Sequence, residues 1–221
     1  MTGGMTDRVR DGVVQVHVAP DPRARGRHAP RRAAEASSRG AGVVWARDNG
    51  SRCLVVSNAH VVTGHAVTVV GIDGVARDGE LLARDTARDL ALLRVDNVPR
   101  RWQPVPPATV PLRAGSVVMA VGHPLGVAHA MTSGVVHSVG PLRAAMPLPE
   151  TARTLPWLQM DVRLAPGNSG GPVVDACGHL VGVSTMIVGG LGLAIPVADV
   201  DRFVMDVHGP SHLAHGWTRA A

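Results

Sequence analysis

Tyrosine is absent from this 221-residue chain, and phenylalanine occurs once. Bases would find almost no aromatic surface to stack on, which argues against a single-stranded nucleic-acid module. No specific nucleic-acid partner is therefore expected, although the formal net charge is +5. Five arginines crowd into the ten residues 23–32, "RARGRHAPRR". A run of this kind is a solvated loop or a polyanion site, and the missing aromatics favour the loop. Long apolar runs are lacking too. Nothing approaches the ~20 residues of a membrane span, and no apolar stretch follows a basic one near the N-terminus. The expectation is a soluble, cytoplasmic chain. Cysteine is scarce: Cys53 and Cys177 stand 124 positions apart, with no C-x-x-C pair. Two separately placed thiols are expected rather than a disulfide or a cysteine-based zinc site.

What is present is a β-pattern. Hydrophobic residues make up 45% of the chain, enough for a sizeable core. Short β-branched runs recur at 12–18, 42–46, 53–57, 66–70 and 90–95, then at 116–121, 133–139, 157–162, 172–175, 179–185 and 192–195. Glycine, proline and Asp/Asn separate them at sandwich or barrel spacing. Between the two groups lies the proline-rich "PVPPATVPL", 104–112. The economical reading is all-β: two packed six-stranded-type antiparallel barrels within one domain, 1–221. The N-terminal barrel would run from about 9 to 103, the linker over 104–112 and the C-terminal barrel from about 113 to 196. Closed barrels leave no exposed strand edges. Val197, Val200, Val204 and Val207 recur at helical spacing behind Pro196, so a short helix is expected over 197–207 before the tail.

The chemistry gathers around "APGNSGGP", 165–172, where three glycines and two prolines surround Ser169. A nucleophilic serine needs a base to take its proton and a carboxylate to orient that base. His60 follows an apolar run in "VVSNAHVV", and Asp89 precedes another in "DTARDLALLRV". Taken singly, His60 is a packed histidine and Asp89 a turn cap. Taken together, His60, Asp89 and Ser169 form an ordered set, two before the linker and one after it. That arrangement would meet across a cleft between the barrels.

The segments "SNAHVV", "ARDLALLRV", "GHPLG", "MTSGVV", "GNSGGPVV" and "GLAIPV" resemble those of HtrA (Deg) serine proteases, a branch of the trypsin-like fold. The resemblance runs from about residue 12 to 207 and implies a serine endopeptidase acting on unfolded or extended polypeptides. By it Ser169 is the nucleophile, His60 the general base and Asp89 the group fixing the imidazole. The Gly167–Asn168–Ser169 loop supplies the oxyanion hole, chiefly through the N–H groups of Gly167 and Ser169. Leu164, Ala165, Leu191 and Leu193 are expected to wall the specificity pocket and to favour small or medium aliphatic P1 residues; packing in the core is the other reading of the leucines. Arg163, six before the nucleophile, would repel basic side chains. Ser184 matches a serine lying beside the catalytic carboxylate, and the Thr185–Met186 backbone would pair with an extended peptide. Asn168, neutral before the serine, argues against activation by N-terminal cleavage. Ordering of loops around 140–156 and 186–192 is the expected means of control.

Some features depart from the family. The chain ends soon after its helix, so a protease domain without a PDZ module is expected. The aromatic contacts of family trimers are missing, so an oligomer is open but that trimer is not evident. No cofactor or metal is expected. His208, His212 and His215 read as a solvated terminus, and His65, His123, His129, His137 and His179 as turn or surface residues. Two alternatives remain: a catalytically silent protease fold that binds peptides, and an esterase. "GNSGG" fits the esterase motif literally, but the order Ser, Asp, His and a following helix are absent.

Overall fold

A computed structural model describes residues 4–19, 38–48, 50–64, 66–142 and 153–209. The Arg-rich run 23–32, His65, His212, His215 and most of the 140–156 loop lie outside them.

Two closed antiparallel six-stranded barrels account for the described strands, as the sequence pattern leads one to expect. The first comprises β1 (Val13–Val18), β2 (Ser38–Arg47), β3 (Cys53–Ser57), β4 (Val67–Val70), β5 (Ala76–Asp85) and β6 (Leu90–Val95). Its order is β1-β2-β3-β6-β5-β4. The second comprises β7 (Val117–Gly122), β8 (Ala130–Gly140), β9 (Trp157–Met160), β10 (Pro172–Asp175), β11 (Leu180–Val188) and β12 (Leu191–Pro196). These close as β10-β11-β12-β9-β8-β7.

Side-chain alternation explains how two barrels share one interior. On β3, Cys53 and Val55 point into the first barrel, while Leu54 and Val56 join a cluster between the barrels. On β6, Ala91, Leu93 and Val95 fill the first barrel, and Leu90 and Leu92 face the shared cluster. From the second barrel Val121, Trp157, Val183 and Leu193 enter that same cluster. Both faces of these strands are apolar because both are buried.

β5 was not visible as a strand. Its sequence, ARDGELLARD, offers little apolar alternation, and only Gly79 in it is fully buried. Pairing with β4 on one side and β6 on the other holds it extended. Tertiary closure overrides local propensity there. A short helix α1 (Met5–Asp11) was also unexpected. It buries Val9 and lays Met5 against the β10–β11 turn, close to Gly178. The expected C-terminal helix is α2 (Val197–His208), with Val200, Phe203 and Val204 buried and Val207 turned outward. The linker is tied to the second barrel, since Ala108 N–H donates to Leu180 O at 2.9 Å and Leu180 N–H to Pro106 O at 2.6 Å.

Both thiols are free. Burial inside the first barrel pushes the Cys53 thiol up to about 12, while Cys177 is exposed.

Candidate active site

His60 sits on the turn that ends β3. The N–H groups of Val61 and Val62 donate to Asn58 O at 3.2 and 3.1 Å, which winds the chain tightly there. Asn58 Nδ2 in turn donates to Asp89 O at 2.9 Å, docking this turn onto the one before β6. Asp89 has φ +58°, a left-handed conformation that a non-glycine residue adopts at a cost. The surrounding bonds hold it. Asp89 Oδ1 accepts the His60 backbone N–H at 2.9 Å, and Oδ2 faces His60 Nδ1 at 2.8 Å. The Thr185 hydroxyl also donates to Oδ2. The carboxylate is largely buried, while about half of the His60 side chain is exposed. With the Nδ1 proton engaged by Asp89, the other ring nitrogen of His60 carries the lone pair.

Ser169 enters from the second barrel, on the loop between β9 and β10. Asn168 N–H donates to Ala165 O at 3.0 Å and Gly171 N–H to Asn168 O at 2.9 Å, forming consecutive tight turns. Gly167 has φ +105°, and a Cβ there would lie 2.4 Å from His123 O. Gly170 has φ +86°, with Ala41 O at 2.2 Å from the same imagined atom. Neither position accepts another residue without the loop shifting. Ala41 N–H donates to Ser169 O at 2.8 Å, so the loop is bonded to the first barrel.

The Ser169 hydroxyl donates to Thr185 O at 2.9 Å. Ser169 and His60 line one cleft together with Leu164, Thr185, Met186 and Ile187. The N–H groups of Gly167 and Ser169 have no backbone acceptor among the described residues.

Several placements correct the sequence expectations. Asn168 N–H is consumed by Ala165 O, so it is not free for the oxyanion hole expected of the 167–169 loop. Ser184 is not beside Asp89; its Oγ donates to Asn168 O at 2.6 Å and Gly171 O at 3.1 Å, bracing the serine loop. Thr185 takes the place beside the carboxylate. As neighbours on β11 the two side chains point to opposite faces, so the one that braces the serine loop is not the one that reaches Asp89. Leu193 is fully buried in the inter-barrel cluster, not in the cleft. Leu191 is partly buried at the start of β12 and does not line the cleft either. Gly192 lies between them, and a Cβ there would stand 3.2 Å from Leu164 Cδ1. Leu164, Ala165, Thr185 and Met186 do line the cleft, joined by Ser38, Arg39 and Ile187, which no motif singles out. Arg163 is exposed and outside the lining.

His123, expected as a turn or surface residue, does lie in the turn that leads into Pro124–Gly126, but it is only 5% exposed. Its backbone N–H donates to Gly167 O at 3.0 Å, so it stands directly behind the serine loop. Its Nδ1 accepts His129 N–H at 3.3 Å, and the two rings meet edge-on with centroids 4.8 Å apart. Burial, then the neighbouring His129, pulls His123 down to about 4. The Val14 backbone opposes this without closing a well-formed bond to the buried Nε2.

Two barrels flanking a cleft that holds an Asp–His pair and a serine on a glycine-constrained loop define a class, the trypsin-like peptidases. The chain belongs to that family: residues 40–183 match the Trypsin-like peptidase domain. Within it, the chain is 33% identical over 174 residues to the chloroplastic Protease Do-like 1 of Arabidopsis thaliana, covering 75% of this chain and 38% of that protein. It is 32% identical over 195 residues to a probable periplasmic DegP-like serine endoprotease of Halomonas elongata, covering 83% and 38%. The chain thus spans about two fifths of the length of these curated relatives. The solved HtrA-type protease AlgW with a decapeptide superposes with a TM-score of 0.71 at 26% identity, over 93% of this chain and 67% of that one.

Proposed function

We propose that the protein is a serine endopeptidase that cuts extended or unfolded polypeptides through His60, Asp89 and Ser169. The observation that carries this reading is the double grip of Asp89 on His60, through Nδ1 and the backbone N–H. That grip fixes the tautomer in which the far ring nitrogen can remove a proton. Ser169 Oγ, rotated away from Thr185 O, would hand its proton to His60 and attack the scissile carbonyl. The N–H groups of Gly167 and Ser169 would receive the oxyanion, an arrangement in which one donor is typically worth ~10²–10³ in rate. His60 would then protonate the leaving amine, and water would release the acyl group by the reverse sequence.

Thr185, Met186 and Ile187 line the cleft as part of β11, a placement that suits pairing with an extended chain as an added strand. Leu164, Met186 and Ile187 give the cleft an aliphatic character that fits small or medium aliphatic P1 residues. A second reading, a silent peptide-binding module, draws on one observation: the serine hydroxyl rests on Thr185 O. Fluorophosphonate labelling separates the two, together with casein cleavage. The endopeptidase reading requires labelling and cleavage by the native chain and neither by Ser169→Ala. Labelling that survives in that variant, or its absence from the folded native chain with or without peptide, rejects it.

A further inference from the structure

Asp175 at the end of β10 and Cys177 and His179 in the turn to β11 stand on alternate residues of "DACGH". They are remote in sequence from His60 and Asp89, and β10 carries them away from the Ser169 loop. No step proposed above uses them. One ligand atom from each lies within 4.8 Å of the other two. The set is a carboxylate oxygen, a sulfur and an imidazole nitrogen, the mixture that suits a borderline-soft ion.

From these positions we infer that the β10–β11 turn is a binding site for a zinc-class divalent transition-metal ion. Two ligands each about 2.1 Å from a tetrahedral ion stand roughly 3.4 Å apart. Asp175 Oδ2 and His179 Nδ1 are 3.3 Å apart, already at that bite. A thiolate and an imidazole on such an ion stand about 3.6 Å apart. The Cys177 sulfur must therefore close by about an ångström at most, within reach of a χ1 adjustment on an exposed side chain.

The two oxygens of Asp175 divide the work. Oδ1 accepts the N–H groups of Cys177 at 2.8 Å and His179 at 2.9 Å. That leaves Oδ2 facing the imidazole. Gly178, at φ +84°, reverses the chain so that His179 returns to the carboxylate. Three protein ligands leave the fourth position to water. Binding exchanges the thiol proton for the metal and releases one proton to solvent, so affinity rises with pH. A plain His179–Asp175 ion pair would account for the imidazole and carboxylate, but it assigns no role to Cys177. The experiment separates these two cases.

Co²⁺ is titrated into the reduced, chelator-stripped full chain and followed by absorption, then displaced with Zn²⁺. A near-ultraviolet thiolate-to-cobalt band with visible bands of tetrahedral intensity is expected, lost on adding Zn²⁺. Cys177→Ser should abolish the thiolate band, and His179→Gln should weaken binding by more than about tenfold, since even supporting residues behind a ligand are worth 10–100-fold. Cys53→Ala should leave the spectrum intact, because that thiol is enclosed in the first barrel. No thiolate band at saturating Co²⁺, a band that survives in Cys177→Ser, or one lost only in Cys53→Ala would overturn the assignment.

Discussion

Acidification should weaken this fold through one buried imidazole. His123 accepts a hydrogen bond at Nδ1 from His129 N–H, so a proton added there turns an acceptor into a donor facing a donor. The groups around it give little relief. His129 and His17 both disfavour the added charge on His123, while Arg10 and the opposing carboxylate of Asp11 act on His129. The folded chain therefore holds His123 at about 4 against an ordinary 6.5. Because the folded value is the lower one, the unfolded chain takes up the proton first. The contribution is whole above pH 6.5 and drains away as the pH falls through about 4. The gap corresponds to roughly 3 kcal/mol, a large part of the stability of a typical domain. Urea denaturation at pH 7, 5.5 and 4 measures it, with His123→Asn as the reference, since an amide oxygen can still accept from His129. The native chain should lose about 3 kcal/mol more than the variant between pH 7 and 4. Equal losses in the two proteins would refute the reasoning, because every other titrating group is common to both.

Two further perturbations test other contacts. Thr185→Val removes the hydroxyl that donates to Asp89 while keeping the carbonyl that receives Ser169. A hydrogen bond to a charged group is worth about 1.5–3 kcal/mol, so kcat on a peptide substrate should fall by about tenfold or more with KM nearly unchanged, and Thr185→Ser should recover most of it. Gly71→Ala would set a Cβ 2.2 Å from the ring of Trp102, which is fully buried. Overpacking of this kind costs about 1–3 kcal/mol, seen as a drop in Tm of roughly 3–10 °C by calorimetry.

Much of the fold was legible because the strands that matter most are apolar on both faces or alternate cleanly. β3 and β6 announce themselves as CLVVS and LALLRV, and His60 and Asp89 sit at their ends. β5 was hidden because its extended form comes from two neighbouring strands rather than from its own side chains. The serine loop was legible through its glycines, each meeting a carbonyl oxygen at a distance no Cβ tolerates. The exchange of roles between Ser184 and Thr185 was not, because the resemblance marks the strand but not which of two neighbouring hydroxyl side chains faces Asp89. The resemblance offers Leu193 as a pocket wall, with core packing as the other reading. Alternation along β12 sends it the other way, into the space between the barrels. His123 was misread for a related reason: the turn-like "GHPLG" gives no sign that the first barrel closes over it.

The apolar cluster that Leu92 and Trp45 share with Trp157 and Leu193 has a mechanical corollary. A crevice between two lobes invites the picture of jaws, yet these lobes share a buried apolar cluster and would wet tryptophan on swinging apart. Adjustment at the crevice is left to the loops that rim it, and a cut that separated the lobes would strip each of the shared apolar face while leaving it only its own smaller barrel core.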